Sequence, residues 1–141
     1  MTNASLSRLF LVFLAFVVIL YGAYVRLTDA GLGCPDWPGC YGKLVVSELD
    51  DPNFSFAPGT DYGKAYREMV HRYLAGILGL GIFGLFIHYW VNEGKRTLFS
   101  SETILLPMVL FQAFLELLTV TMLLKPLIVT GHLIGGFMTL S

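Results

Sequence analysis

Ionisable side chains inside long apolar runs are costly, and those that persist there mark function. Near the head of one such run stand Glu68, His71 and Arg72. Positions i, i+3 and i+4 share one face of a helix, so all three project the same way. A second histidine, His132, follows Pro126 closely in another apolar run. With both runs entering from one side, a rise of ~1.5 Å per residue puts each imidazole within about one to two turns of its entry point. They are then at similar depth. Two imidazoles at one height on two helices could clamp an iron porphyrin from both sides. The plainer alternative for either histidine alone is a hydrogen bond between helices.

The neighbouring polar residues also admit two readings each. Glu68 could cap a helix start, where a carboxylate meets the positive end of the dipole. Beside a porphyrin it could instead transfer protons or stabilise developing positive charge. Arg26 and Arg72 could snorkel to headgroups, or pair with porphyrin propionates through bidentate contacts. Gln112, Glu116 and Thr119 share one face of a third run. Glu116 near mid-bilayer is expensive unless protonated or paired, which leaves a buried polar proton relay, packing against another polar group, or a substituted residue open. His88, beside Tyr89 and Trp90, reads as an interfacial residue without a role.

Two cysteines, Cys34 and Cys40, lie close together in a polar stretch. Two are too few for a zinc knuckle, which wants four ligands. A single disulfide on an oxidising face of a membrane fits better.

The elements that must carry these residues are membrane helices. The chain has 141 residues, 55% hydrophobic and 13% charged, with mean hydropathy +0.69. These values lie far outside soluble averages. A net charge of −1 gives no reason to expect nucleic acid as a partner. About 20 apolar residues cross a bilayer. The expected fold is therefore an all-α four-helix transmembrane bundle, with helices over about 6–25, 68–90, 103–124 and 127–141. The first run is too long for the h-region of a signal peptide and lacks a clear cleavage site, so it reads as an uncleaved anchor. Gly76, Gly79, Gly81 and Gly84 in the second run allow close approach of a helix or a flat ligand. The long connection, 26–67, is dense in turn formers such as Gly31, Gly33, Pro35, Pro38, Gly39 and Gly42. The whole chain reads as one unit, 1–141.

The last run is shorter than a full span, so the chain is expected to be a piece of a longer protein, with a half-size protein that pairs with itself as the alternative. Orientation is in conflict. Two crossings put the N-terminus and Lys95-Arg96 on one face, while Arg26, Lys43, Lys64, Arg67, Arg72 and Lys125 lie on the other. The positive-inside count makes that second face cytoplasmic, whereas a disulfide needs it outside. Several of those cations sit at helix ends, where an anionic ligand could hold them. The expectation is a cytoplasmic N-terminus with the cysteine loop outside. The lack of an Arg-rich presequence points to a bacterial inner membrane.

The segment Gly22 to Gly42, GAYVRLTDAGLGCPDWPGCYG, closely resembles the signature of the haem A synthase family. Glu68-Met-Val-His71-Arg72 is similar to that family's Glu-x-x-His-Arg motif, and Leu118 to Thr121 with Lys125 to Leu133 resembles its third-to-fourth helix corner. The resemblance covers almost the whole chain, in order. It implies an eight-helix protein of two similar four-helix halves, each with a histidine pair for haem. The N-terminal half receives haem O, and the C-terminal half holds a haem b cofactor. The enzyme oxidises the C8 methyl of haem O to a formyl group, giving haem A for terminal oxidases.

Carried over, the resemblance makes His71 and His132 the iron ligands of the substrate half and Glu68 the catalytic carboxylate. Cys34 and Cys40 become an outer-face disulfide with a structural or redox role. Glu116 departs from the family pattern, which commonly has a small residue there. Haem O synthase is the expected upstream partner, beside membrane lipid and an electron donor the sequence does not identify. Without the second half, this chain alone is expected to be inactive. The alternatives from other classes are a bis-His cytochrome b for electron transfer and a haem-delivery protein. The cytochrome would need neither a carboxylate at the haem edge nor an outer cysteine loop.

Overall fold

The computed structural model describes residues 3–93 and 101–141. They form four α-helices, α1 (Asn3–Leu27), α2 (Tyr62–Glu93), α3 (Ser101–Thr121) and α4 (Pro126–Leu140), with one 3-10 turn at Val46–Leu49. Ser5–Leu27, Tyr62–Asn92 and Thr103–Thr121 are long and apolar enough to cross a membrane, while α4 is shorter. Large apolar side chains such as Leu9, Phe13, Leu80, Leu110 and Phe137 face outward, as a bilayer solvent allows. Lys95-Arg96, used above in the orientation count, lies outside the described residues.

The helices form a closed ring in which α1 touches α2 and α4, and α3 touches α2 and α4. The diagonal helices stand farther apart: among the described residues no Cα of α2 comes within 8 Å of one in α4. The core between α1 and α2 is built from Leu14, Ala15, Leu78 and Ile82, with Leu11, Val18, Leu74, Leu105 and Val109 packed on it. Of Gly76, Gly79, Gly81 and Gly84 in α2, two account for close packing. A Cβ on Gly81 would lie 2.5 Å from Leu11 Cδ2, and one on Gly79 would lie 3.3 Å from Val109 Cγ1. Gly76 and Gly84 have nothing within 4 Å of that position.

The helices start and stop for identifiable local reasons. α2 begins at Tyr62 rather than near 68, because the Lys64 amide donates to Asp61 Oδ1 at 2.8 Å. Asp61 is the capping residue. Glu68 therefore lies in the second turn, and the cap reading for it is corrected. α3 stops at Thr121 rather than near 124, because Leu123 and Leu124 both have positive φ, 52° and 55°. The Leu124 amide donates back to the Thr119 carbonyl at 2.8 Å, and Pro126 then opens α4.

The connection between α1 and α2 has its own core. Cys34, Cys40, Val46 and Leu49 pack on Ala65 and Met69 of α2, flanked by Tyr41, Phe54, Phe56 and Tyr62. Contact with α2 is close: a Cβ on Gly33 would lie 2.5 Å from the Lys64 carbonyl carbon. Asp36 shapes the turn inside the cysteine pair by accepting the Tyr41 amide at 2.6 Å and the Gly42 amide at 2.8 Å.

Candidate functional site

Glu68 and Arg72 stack one turn apart on α2 and form a buried ion pair, with only 5% and 8% of each residue exposed. The remaining partners come from the cysteine loop. Glu68 Oε2 accepts the Cys34 amide at 3.0 Å. Arg72 Nη1 donates to the carbonyls of Asp36 (2.8 Å), Pro38 (3.4 Å) and Gly39. From α3, Glu116 Oε1 approaches Arg72 Nε at 3.9 Å, and the Trp37 side chain interacts with the same carboxylate. Two carboxylates and three carbonyl dipoles thus surround one guanidinium, the arrangement a buried cation needs. The structure turns Arg72 inward to the loop rather than toward headgroups. Arg26 is exposed at the end of α1. Cys34 and Cys40 are joined in a disulfide, with Cα atoms 4.8 Å apart.

His71 and His132 come from the diagonal helices α2 and α4 and lie within electrostatic reach of each other. The Nδ1 atoms of both are buried and have no hydrogen-bond partner. The His132 ring also meets the Gln112 backbone of α3, so His132 makes the contact between helices that the plainer reading expects. The His71 ring lies against the backbone of α1, where a Cβ on Gly22 would be 2.8 Å from its Cε1 atom. On the other side of the bundle, the Gln112 amide occupies the space a Cβ on Gly135 would take. Thr119 donates to the Glu116 carbonyl at 2.7 Å, so it serves the backbone of α3 rather than a side-chain relay.

Among the described residues, no group of three or more His, Cys, Asp or Glu side chains converges as a free metal ion would require. A porphyrin brings four nitrogens of its own and asks the protein for only two axial ligands. Two half-buried imidazoles on the diagonal helices α2 and α4, each with a buried, unpartnered Nδ1, are candidates for that pair. A cavity of about 360 Å³ lies elsewhere, at the other end of the bundle, lined by residues that include Leu11, Ala15, Leu78, Ile82 and Met108. Neither histidine borders it.

Residues 7–141 match the COX15-CtaA family model, described as cytochrome oxidase assembly protein. The chain belongs to this family. A haem A synthase from Shewanella oneidensis is 43% identical over 96% of this chain, which spans 42% of that relative's length. A haem A synthase from Exiguobacterium sibiricum is 33% identical over 57% of this chain and 24% of its own. A protohaem IX farnesyltransferase from Thermus thermophilus is 32% identical over 50% of this chain and 10% of its own. This COX15-CtaA chain thus spans less than half the length of the relatives it matches. No solved structure matches it.

Three features of this family member were not singled out from its sequence. Gly22 provides the space for His71. Asp36 organises the cysteine turn. Arg67 precedes His71 by one turn, and its Nε is buried without a partner. The i, i+4 spacing of Arg67 and His71 was the available signal; counting Arg67 among the loop cations hid it.

Proposed function

We propose that this chain is the substrate half of a haem A synthase, a membrane oxidoreductase that converts the C8 methyl of haem O to a formyl group. The observation that carries this reading is the diagonal histidine pair: two half-buried imidazoles with buried, unpartnered Nδ1 atoms, one on α2 and one on α4. His71 and His132 are the iron ligands of the bound substrate. Haem iron, when bound, supplies the oxidative chemistry, and the protein contributes position and charge. A second haem site belongs to the part of the relatives that this chain does not span.

In this scheme Glu68 is the carboxylate at the reacting edge. It shares a helical face with His71, and its contacts favour one of its two chemical readings. Both oxygens accept hydrogen bonds, one from Arg72 and one from the Cys34 amide. A carboxylate held in this way is suited to stabilising positive charge as it develops, more than to shuttling protons. The disulfide loop covers this end of the site and keeps Glu68 and Arg72 from water. The N-terminus is cytoplasmic, and the loop is on the outer side of a bacterial inner membrane, where a disulfide persists. The farnesyltransferase relative supports a place next to the step that supplies a farnesylated haem, in line with haem O synthase as upstream partner.

The test is extraction and mass identification of haem from the chain purified out of a host that makes haem O. Enrichment of the farnesylated haem over protohaem, lost in His71→Ala and His132→Ala, supports the reading. In the whole protein, Glu68→Gln is expected to leave haem O bound and haem A unformed. Unchanged haem A formation in that variant would favour a cytochrome or haem carrier.

A further inference from the structure

We infer that Arg67 is the cation that receives a carboxylate of the bound porphyrin. This inference rests on the reading of His71 and His132 as iron ligands. Arg67 and His71 are four residues apart on α2 and share a face. At ~1.5 Å per residue, Arg67 stands about 6 Å nearer the loop end of the helix than His71. A porphyrin gripped at the height of His71 extends its charged edge toward the aqueous side, because propionates are too costly to bury in the bilayer centre. That edge meets the level of Arg67.

The state of the side chain agrees with this assignment. Arg67 has no hydrogen bond or ion pair among the described residues, and its Nε is buried. Tyr21 on α1 lies within its electrostatic reach, and the Asp61 carboxylate and Arg67 Nη1 both border Gly63 without forming an ion pair. A partly buried guanidinium without an anion is unfavourable, and a carboxylate ligand satisfies it in bidentate fashion. The other cations at this end are engaged or exposed, Lys43 with Glu48 at 3.0 Å and Lys125 in the open. Arg72 is held by Glu68 and three loop carbonyls, Lys64 by Asp29 at 3.2 Å, and Arg26 is exposed. Arg67 is therefore the guanidinium that combines the right height with free donors.

The experiment titrates the purified chain in detergent with protohaem and with protohaem dimethyl ester, whose carboxylates are blocked, and follows the visible spectrum. Wild type is expected to bind the free acid about tenfold or more tightly than the ester. Arg67→Gln should remove that preference by weakening the free acid alone, with the six-coordinate spectrum and the ester affinity unchanged. Arg67→Lys should restore part of it. Equal weakening of both haems, or retention of the preference in Arg67→Gln, would overturn the assignment. Failure of wild type to give a six-coordinate spectrum with either haem would instead sink the underlying histidine reading.

Discussion

Gly22 of α1 lies directly under the imidazole of His71, and a methyl group on it would approach the ring's Cε1 and Nε2 atoms to 2.8 and 3.2 Å. Contacts that short cannot persist, so the absence of a side chain at Gly22 sets where the His71 ring can stand. The relationship ties the first element of the signature segment to the histidine of the second motif, across two helices.

Gly22→Ala separates positioning from stability. Alanine in a helix interior is favoured over glycine by about 1 kcal/mol, so helix propensity alone would leave the variant at least as stable as wild type. Displacement of the His71 ring should nevertheless weaken haem binding about tenfold or more and raise the high-spin fraction. Absorption titration with a thermal melt of the same sample checks both. Unchanged affinity would remove Gly22 from the site.

Glu68 and Glu116 both face Arg72, and their substitution should have unequal effects. Glu68 makes the direct buried pair and also holds the Cys34 amide, whereas Glu116 stands 3.9 Å away. Breaking a buried pair costs about 3–5 kcal/mol, so Glu68→Gln should lower stability by an amount near that range. Glu116→Gln leaves the Glu68 pair in place and should cost clearly less than Glu68→Gln. Denaturant melts in detergent would show the order, and a larger loss for Glu116→Gln would contradict it.

Arg72→Lys keeps the charge and loses the geometry. A lysine ammonium is a single point of donation and cannot span the Glu68 carboxylate and the loop carbonyls of Asp36, Pro38 and Gly39 together. The loop should undock from α2, and Cys34–Cys40 should become reducible at least several-fold faster, read by thiol labelling under a mild reductant. An unchanged rate would mean that the loop is held by its apolar core alone.

Removal of the disulfide itself should have a moderate effect. It closes a short loop, with the cysteines six residues apart, for which chain entropy predicts about 2 kcal/mol. Cys34→Ser with Cys40→Ser should lower the melting temperature accordingly while leaving the haem spectrum recognisable, since Asp36, Arg72 and Glu68 still hold the turn. A complete loss of the folded bundle would show a larger dependence.

The helices were legible because apolar length is a strong signal, and their ends were less so. Tyr62 to Arg67 read as loop because Lys64, Tyr66 and Arg67 interrupt the apolar pattern, yet Asp61 caps a helix there and the cysteine loop buries Ala65. Leu123 and Leu124 look like ordinary helix formers, and only their left-handed backbone shows that α3 has already ended. Glu68, His71 and Arg72 were visible by type and spacing; the structure pairs Glu68 with Arg72 under the cysteine loop and sets His71 against Gly22 of α1. Their partners were not visible. Nothing in the sequence marks the carbonyls of residues 36, 38 and 39 as the ligands of Arg72, because a backbone acceptor has no letter. Gly22 was hidden for a related reason: its contribution is the absence of a side chain.

The most direct measurement is the visible absorption spectrum of the purified chain titrated with one equivalent of ferric haem, beside His71→Ala and His132→Ala. A diagonal histidine pair predicts a low-spin, six-coordinate spectrum for wild type and a five-coordinate, high-spin spectrum for either variant. A low-spin spectrum that survives both substitutions unchanged would show that the iron is held elsewhere.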